Sequence, residues 1–217
     1  MFNDKFGLTQ AVLDGRKTMT RRIIEIDECV RFPIIRFRPL EKWEKKVVNP
    51  NYVFNGHVYA VYNELDLLCH LVKPRYEIGE VVAIAQSYMD VDRFHRKGKN
   101  ADYLEYLDSI LPELKLYPGW GNKMFVKADL MPHHIKITGI KVERLQDISD
   151  EDCLKEGIIH VSTFLGQKIY HTPHVNGSYL STNVAQEAFA YLIDKVSGKG
   201  TWESNPFVFA YEFVLFD

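Results

Sequence analysis

The chain has 217 residues, of which 46% are hydrophobic and 26% are charged, and its formal net charge is −2. These values are close to those of ordinary globular proteins, so the chain can bury a core, and they exclude a protein that is basic throughout. No apolar run approaches the roughly 20 residues that a membrane-spanning helix needs, and the first ten residues lack the apolar segment of a signal peptide. We therefore expect a cytoplasmic protein with no membrane partner.

Positive charge is concentrated in one part of the chain. Residues 16–48 contain ten Lys and Arg against five Asp and Glu, although the whole chain is slightly acidic. A basic surface on one side of a protein is compatible with nucleic acid, a nucleotide or another anion as the partner. An ordinary charged surface gives the same count, so the motifs have to decide between the two interpretations.

The stretch "LTQAVLDGRKT" predicts a short helix near the amino end. Thr9 is a suitable N-cap, and Gly15 can end the helix in a left-handed conformation. Arg16 and Lys17 then follow the carboxyl end of the helix, where the helix dipole favours cations. One interpretation of this basic cluster is therefore structural, because these side chains can simply satisfy the last carbonyl groups of the helix.

The middle of the chain predicts strands and one helix. Asn55–Gly56 indicates the tight turn of a hairpin, and a turn at Gly79 leads into a predicted buried strand at residues 81–85. The stretch "NADYLEYLDSILPEL" has apolar residues at helical spacing and Pro112 near its end, which predicts a helix. Strands and helices do not alternate regularly, which argues against a doubly wound parallel sheet.

The stretch "HIKITGIKVERL" predicts a strand whose hydrophobic alternation changes phase. Ile135 and Ile137 occupy odd positions, whereas Ile140 and Val142 occupy even ones. The change falls at Thr138–Gly139 and predicts a β-bulge or bend, a device that barrels and strongly curved sheets use.

A short helix with clear end signals follows. In "DISDEDCLKEG", Ser149 is the predicted N-cap, acidic residues occupy the first turn, and Gly157 ends the helix. The next stretch, residues 158–181, is interpreted as a long loop.

The last part of the chain predicts a helix and a strand. The helix lies in "TNVAQEAFAYLIDKVSGKG", with Thr182 or Asn183 as its cap and Gly198 as its end. Aromatic residues alternate in "NPFVFAYEFVLF", which predicts a terminal strand. Taken together, the pattern favours an α+β protein, a small and mostly antiparallel β-barrel with flanking helices and insertions.

Four of these stretches, in order, resemble the ASCH family of the PUA-like superfamily. The stretch "AVLDGRKTMTRR" is similar to the family's signature of a helix, a glycine and a basic-Lys-Thr-x-Thr-x-Arg run. The other three are "YEIGEVVAIAQSY", "IKITGIKVERLQDISDEDCLKEGI" and "GKGTWESNPFVFAYEFVLF", the last being similar to the closing strand of phage-associated and bacterial members. The resemblance implies one PUA-like β-barrel domain over residues 1–217, with a cleft for RNA, a nucleotide or a nucleoside. The chain is longer than the small members, so insertions are expected near 28–75, 87–122 and 158–182.

The resemblance also implies a reaction. Some small bacterial members are amidohydrolases that remove the acetyl group of N4-acetylcytidine with a Lys and a Thr of the first motif and a Glu of the acidic helix. The matching catalytic positions are Lys17, Thr20 and Glu156. The neighbouring positions, implied to bind the substrate, are Arg16, Thr18, Arg21 and Arg22. The chain departs from the family's alternation of Thr and Arg, because two arginines follow Thr20 directly.

This chemistry sets a condition on the backbone. A threonine hydroxyl needs a base to take its proton, and a lysine serves as that base only if burial or neighbouring cations lower its pKa. Lys17 and Thr20 are three residues apart, a spacing that faces opposite sides of a strand but the same side of a turn or helix. The catalytic interpretation therefore requires that residues 15–20 do not form a plain strand.

Two other functions stay open. One is a non-catalytic nucleic-acid adaptor, in which the basic residues of the first motif contact phosphates. The other is a phage-linked interaction module that uses the insertions. Glu156 also has a structural interpretation, as a surface helix residue that pairs with Lys155 or Arg144.

We expect neither a metal nor another cofactor. The pairs His133–His134 and His171–His174 have no carboxylate or cysteine at ligand spacing. The three cysteines are far apart, and no two of them have metal-ligand spacing. The expected partner is therefore RNA or a nucleoside or nucleotide, and the sequence does not indicate the oligomeric state.

Overall fold

The computed structural model describes residues 2–26, 33–41, 56–98, 101–116, 118–162, 165–173 and 179–216. Asn55 of the predicted hairpin turn and His174 lie outside these residues, whereas Gly56 is described and has a left-handed φ of 82°.

The described residues form strands and α-helices in an irregular order. The strands are β1 (Met19–Ile23), β2 (Ile34–Pro39), β3 (Tyr59–Asn63), β4 (Leu68–Val72), β5 (Val81–Ala83), β6 (His134–Arg144), β7 (Ile159–Ser162), β8 (Lys168–His171), β9 (Ser181–Thr182) and β10 (Phe207–Leu215). The helices are α1 (Leu8–Leu13), α2 (Tyr88–Gly98), α3 (Ala101–Leu114), α4 (Asp150–Lys155), α5 (Ala185–Ser197) and α6 (Thr201–Ser204). Short 3₁₀ turns cover Asp4–Phe6, Ala128–Leu130 and Leu145–Asp147.

The largest sheet has the strand order β1-β10-β6-β5, and every pairing in it is antiparallel. The predicted terminal strand β10 is confirmed and lies between β1 and β6. Because it is central, it is buried on both faces: Val208 packs with α5, whereas Phe209, Tyr211 and Phe213 belong to a second apolar cluster. This sheet curls into a half-barrel. Helices accompany sheets that are mostly antiparallel, so the predicted mixed, mostly antiparallel fold class is confirmed.

The predicted bulge is also confirmed. Gly139 pairs with Glu212, but the next pair along the ladder is Ile137 with Phe213, so Thr138 is an extra residue on β6. An extra residue bends the strand and increases its twist, which allows β6 to follow the curled sheet and to keep apolar residues on the core side.

Two smaller antiparallel sheets, β2-β3-β4 and β7-β8-β9, accompany the large one. The second corrects the prediction of a long loop over residues 158–181. Its strands are four, four and two residues long, and in β7 three of the four residues are exposed. A strand that buries almost nothing shows no hydrophobic alternation, and for that reason the sequence pattern missed it.

Helix α4 and its end signals are confirmed, as is α3. Ser149 Oγ accepts a hydrogen bond from the Asp152 N–H at 3.1 Å, and Gly157 is left-handed with a φ of 105°. The helix α2 was not predicted, because its buried stripe consists of Tyr88, Val91 and His95 and so contains a single aliphatic residue.

Three local predictions were wrong. Helix α5 begins at Ala185 with Val184 as its cap, because Thr182 pairs with Tyr170 inside the small sheet. Thr9 lies within α1, whose cap is Gly7. Strand β5 ends at Ala83 and is an edge strand, so Val81 is exposed where the sequence indicated burial.

Candidate functional site

The site forms where the turn between α1 and β1 meets the end of α4. Gly15 is left-handed with a φ of 70°, and the backbone N–H groups of Arg16 and Lys17 both donate to the carbonyl of Ala11 at 2.9 Å. The Thr18 N–H donates to the Lys155 carbonyl at 2.9 Å, which ties the turn to α4. Strand β1 starts only at Met19, so the condition that residues 15–20 are not a plain strand is met.

Lys17 and Glu156, 139 residues apart in the chain, are in direct contact. The Lys17 Nζ donates to Glu156 Oε2 at 2.6 Å and to the Glu156 main-chain carbonyl at 2.8 Å. Both side chains are buried, and only 2% of the Lys17 side chain is exposed. Glu156 is therefore not the exposed helix residue that the structural interpretation required.

Burial lowers the pKa of the Lys17 amine below its ordinary value of 10.5. The carboxylate of Glu156 opposes this effect, because it stabilises the ammonium form, while the positive charges of Arg22 and Arg21 add to the lowering. The effect of burial is the larger one, so the pKa of Lys17 is lowered and the amine loses its proton more readily than an exposed lysine does.

Thr20 lines the same cavity as Lys17 and Glu156. It lies on β1 opposite Tyr211 and is buried. The cavity measures about 40 Å³, more than the roughly 10–15 Å³ that one water molecule needs, so it has room for a few small atoms. Its remaining walls come from the amino-terminal segment, β1 and α5: Phe2, Asn3, Leu8, Arg21, Arg22, Phe189, Leu192, Ile193, Val196 and Ser197.

A wider pocket of about 610 Å³ adjoins this cavity and shares part of its wall with it. The shared residues are Phe2, Asn3, Arg22, Val196 and Ser197. The rest of its lining consists of Asp4, Ser87, Met89 and Asp90 together with the loop Gly121–Lys123. The wide pocket has the size of ordinary ligand sites, which run from about 300 to 1,000 Å³. The segment expected as an insertion near 87–122 thus contributes part of the wall of the wide pocket.

Of the four predicted substrate-binding residues, two reach the cavity. Arg21 and Arg22 line it, and Arg22 also lines the wide pocket. Arg16 instead points outward, with 48% of its side chain exposed, and pairs with Asp14 at 2.9 Å. Thr18 lines neither space, and the bonds that the structure gives it are those of its main chain to Lys155 and Phe213.

A buried network of charges surrounds Arg21. Its guanidinium donates to three carboxylates, those of Glu143, Asp152 and Glu156. Lys141 joins the network through Asp152 at 2.6 Å and Glu143 at 3.0 Å. The sequence interpretation missed these partners. Asp152 was interpreted as a first-turn helix residue, and the alternation of Lys141 and Glu143 on one face of β6 was the available signal.

Cys153 lies beside this network on α4 but does not qualify as a nucleophile. Its side chain is buried, and burial raises the pKa of the thiol to about 12. A thiol with such a pKa stays protonated at neutral pH and is a structural residue.

Within the ranges that the structure describes, no three His, Cys, Asp or Glu side chains are grouped so that they could hold a metal ion. Among the described helices, none combines the length and the apolar character needed to cross a bilayer. No family model, curated protein or solved structure matches this chain.

Proposed function

We propose that this chain is an ASCH-type protein with a PUA-like barrel, which binds a modified nucleoside and hydrolyses the amide of an N4-acylated cytidine. The observation that carries the proposal is the convergence of Lys17, Thr20 and Glu156 on one cavity, with the Lys17 Nζ 2.6 Å from Glu156 Oε2. A lysine base, a threonine hydroxyl and a carboxylate that holds the lysine line one small cavity, and such a set of groups can hydrolyse an amide.

The first half of the reaction is acyl transfer to Thr20. The neutral Lys17 amine takes the proton of Thr20 Oγ while that oxygen attacks the carbonyl carbon of the acyl group. The carbon–nitrogen bond then breaks, and the Lys17 ammonium, held by Glu156, gives its proton to the departing N4 nitrogen. Arg22, which lines both the cavity and the wide pocket, supplies positive charge near the developing oxyanion.

The second half releases the acid. A water molecule attacks the acyl ester on Thr20, Lys17 accepts a proton from this water, and Thr20 Oγ takes a proton back as the ester bond breaks. The products are cytidine and a carboxylic acid. The lowered pKa of Lys17 favours both halves, because a base works best when its pKa lies near the working pH.

The dimensions of the two spaces indicate how the substrate is divided between them. The cavity of about 40 Å³ suits the carbonyl end of a short acyl group, and the pocket of about 610 Å³ suits the base and sugar. We therefore expect N4-acetylcytidine to be turned over faster than N4-benzoylcytidine, whose ring is too large for the inner cavity.

The adaptor alternative has less support. Phosphate binding requires cations that are open to the ligand. Lys17 and Arg21 are both buried and already bound to carboxylates. Equal, salt-dependent binding of RNA by the wild type and by Lys17→Met, without any turnover, would favour the adaptor.

The direct test is hydrolysis of N4-acetylcytidine by the pure protein, followed as release of cytidine. Lys17→Met, Thr20→Val and Glu156→Gln should each lower turnover by roughly 10²–10⁴-fold, the usual contribution of a positioned acid or base. Arg16→Ala is the matched control, because it alters a cation of the same motif that points away from the cavity. Absence of turnover in the wild type, or full turnover by Lys17→Met, would overturn the proposal.

A further inference from the structure

The Arg21 guanidinium uses all three of its nitrogens in the buried network. Its Nη1 donates to Glu156 Oε1 at 3.0 Å, and its Nη2 donates to Asp152 Oδ2 at 3.0 Å. Its Nε and Nη2 both donate to Glu143 Oε1, at 3.0 and 2.5 Å. Only 1% of the Arg21 side chain is exposed, and the ring of Phe189 lies 5.8 Å from its central carbon. Arg21 is therefore held by three carboxylates and almost completely shielded from water.

The two oxygens of Glu156 are divided between two cations. Oε1 accepts from Arg21 and Oε2 accepts from Lys17. We propose that Arg21 is a positioning residue, which holds Oε1 of Glu156 so that Oε2 stays directed at the Lys17 amine. This inference rests on the proposed function for its catalytic meaning, although the geometry it describes does not depend on any reaction.

Charge balance explains why an arginine is suited to this position. Lys17, Arg21 and Lys141 approach Glu143, Asp152 and Glu156 to 3.0 Å or less, so three closely bound cations meet three carboxylates. Lys155 adds a longer contact to Asp152, at 3.7 Å. The planar guanidinium reaches all three carboxylates at once, whereas a lysine ammonium is a single point charge on a flexible stem. Because Arg21 shares the Glu156 carboxylate, it weakens the hold of that carboxylate on the Lys17 proton.

Loss of Arg21 should therefore raise the pKa of Lys17. The charged groups that face the amine are Glu156 from the end of α4 and Arg21 and Arg22 from β1, whereas the wall from α5 contributes apolar residues such as Phe189. Without Arg21, Glu156 acts on Lys17 alone and one repelling cation is gone. The pKa of Lys17 then rises, and the neutral amine forms only at higher pH.

The first experiment compares kcat, KM and the pH profile of N4-acetylcytidine hydrolysis in the wild type and in Arg21→Met. We expect kcat to fall by about 10²-fold, the effect of a displaced catalytic group, with little change in KM and with the rising limb of the profile moved to higher pH. Arg21→Lys keeps the charge but loses the fork, so we expect most of the loss to remain.

Glu143→Gln separates positioning from folding. Glu143 bonds to Arg21 but does not touch Glu156, so this variant should lose stability while its kcat falls much less than that of Arg21→Met. The double variant Arg21→Met/Glu143→Gln restores equal numbers of cations and carboxylates. We expect it to regain stability over Arg21→Met but not turnover, and recovery of wild-type kcat would overturn the inference.

The second experiment does not depend on activity. The titration of Lys17 is followed by NMR of its side-chain ¹³Cε signal, assigned with Lys17→Arg. The midpoint should lie at higher pH in Arg21→Met and in Arg21→Met/Glu143→Gln than in the wild type. An unchanged midpoint overturns the inference. If the midpoint moves but the wild type hydrolyses no acylated nucleoside, the positioning role holds and the proposed reaction fails. If the wild type is active and Arg21→Met is equally active with an unmoved midpoint, only the positioning role fails.

Discussion

Arg21 in the large sheet and Arg96 on α2 each bond to more than one carboxylate, but in opposite surroundings. Arg96 donates to Asp92 at 2.7 Å and to Asp108 of α3 at 2.6 Å, and about half of its side chain (48%) is open to water. Arg21 makes bonds of similar length to three carboxylates that are all nearly buried. Hydrogen-bond lengths are thus similar in the two regions, whereas the exposure of the arginine side chains to water is very different.

The comparison teaches that burial, and not bond length, decides what an ion pair does. In water, removing one partner lets the other return to solvent, so exposed pairs contribute little. In the interior, removing one partner leaves an uncompensated charge, which is strongly destabilising. The network around Arg21 is therefore able to fix the position of Glu156. The exposed pairs of Arg96 contribute little to the stability of the contact between α2 and α3.

The largest effect is expected from Arg21→Met. It removes the cation that three buried carboxylates share and leaves them two close lysines and the longer contact of Lys155. We expect the free energy of unfolding to fall by about 3–5 kcal/mol in urea denaturation. Arg96→Met is the matched control, and its free energy of unfolding should fall far less than that of Arg21→Met, as for other exposed pairs. Equal losses in the two variants would mean that burial does not separate these regions.

Gly157→Ala should have the next largest effect. Gly157 has a φ of 105°, and an added Cβ would meet Leu8 and Lys17 only at ordinary contact distances of 3.5 and 3.8 Å, so the cost comes from the backbone. We expect a loss of about 1–2 kcal/mol in the free energy of unfolding. Turnover should also fall, because Gly157 follows Glu156 directly.

Gly166→Ala is the control for that variant. Gly166 is also left-handed, with a φ of 74°, lies between β7 and β8, and lines neither the cavity nor the wide pocket. It should lose similar stability and keep its turnover. Loss of turnover in both variants would show that general destabilisation, and not displacement of Glu156, is responsible.

The network should also make the free energy of unfolding depend on pH in the acid range. Burial alone would raise the pKa of Asp152, but hydrogen bonds and charges from Lys141 and Arg21 outweigh burial and hold this pKa below its usual 3.8. A carboxylate with a lowered pKa stabilises the fold above the unfolded pKa of 3.8, and this contribution is lost as the pH falls through the lower folded value. Unfolding free energies measured from about pH 5 to about pH 2 should therefore fall more steeply in the wild type than in Asp152→Asn, and parallel curves would contradict this assignment.

The smallest effect is expected at the rim of the network. Lys155 bonds to Glu212 at 2.8 Å, and both side chains are close to half exposed. Lys155→Ala should cost about 0.2–1 kcal/mol in urea denaturation, as exposed pairs do. A loss as large as that of Arg21→Met would place Lys155 within the buried network.

Several elements were predictable because their signals are local. The alternating apolar residues of β10, the change of phase at Thr138–Gly139 and the end signals of α4 at Ser149 and Gly157 all stand in the sequence within a few residues of one another. The small sheet β7-β8-β9 and the edge position of β5 were not predictable in this way. What a strand buries depends on its neighbours in the fold, and a strand that buries almost nothing, such as β7, shows no hydrophobic alternation of its own.

For the site, the sequence determined the residue types, the turn and the cap. It placed Lys17 after a left-handed glycine and just before the strand that carries Thr20, and it placed Glu156 at the end of an acidic helix. Only the tertiary structure decided that these two regions meet, that Arg21 turns inward while Arg16 turns outward, and that Glu143 and Asp152 share its charge. The reason is physical: spacing fixes which side of its own element a residue faces, whereas burial and charge pairing arise between elements far apart in the chain.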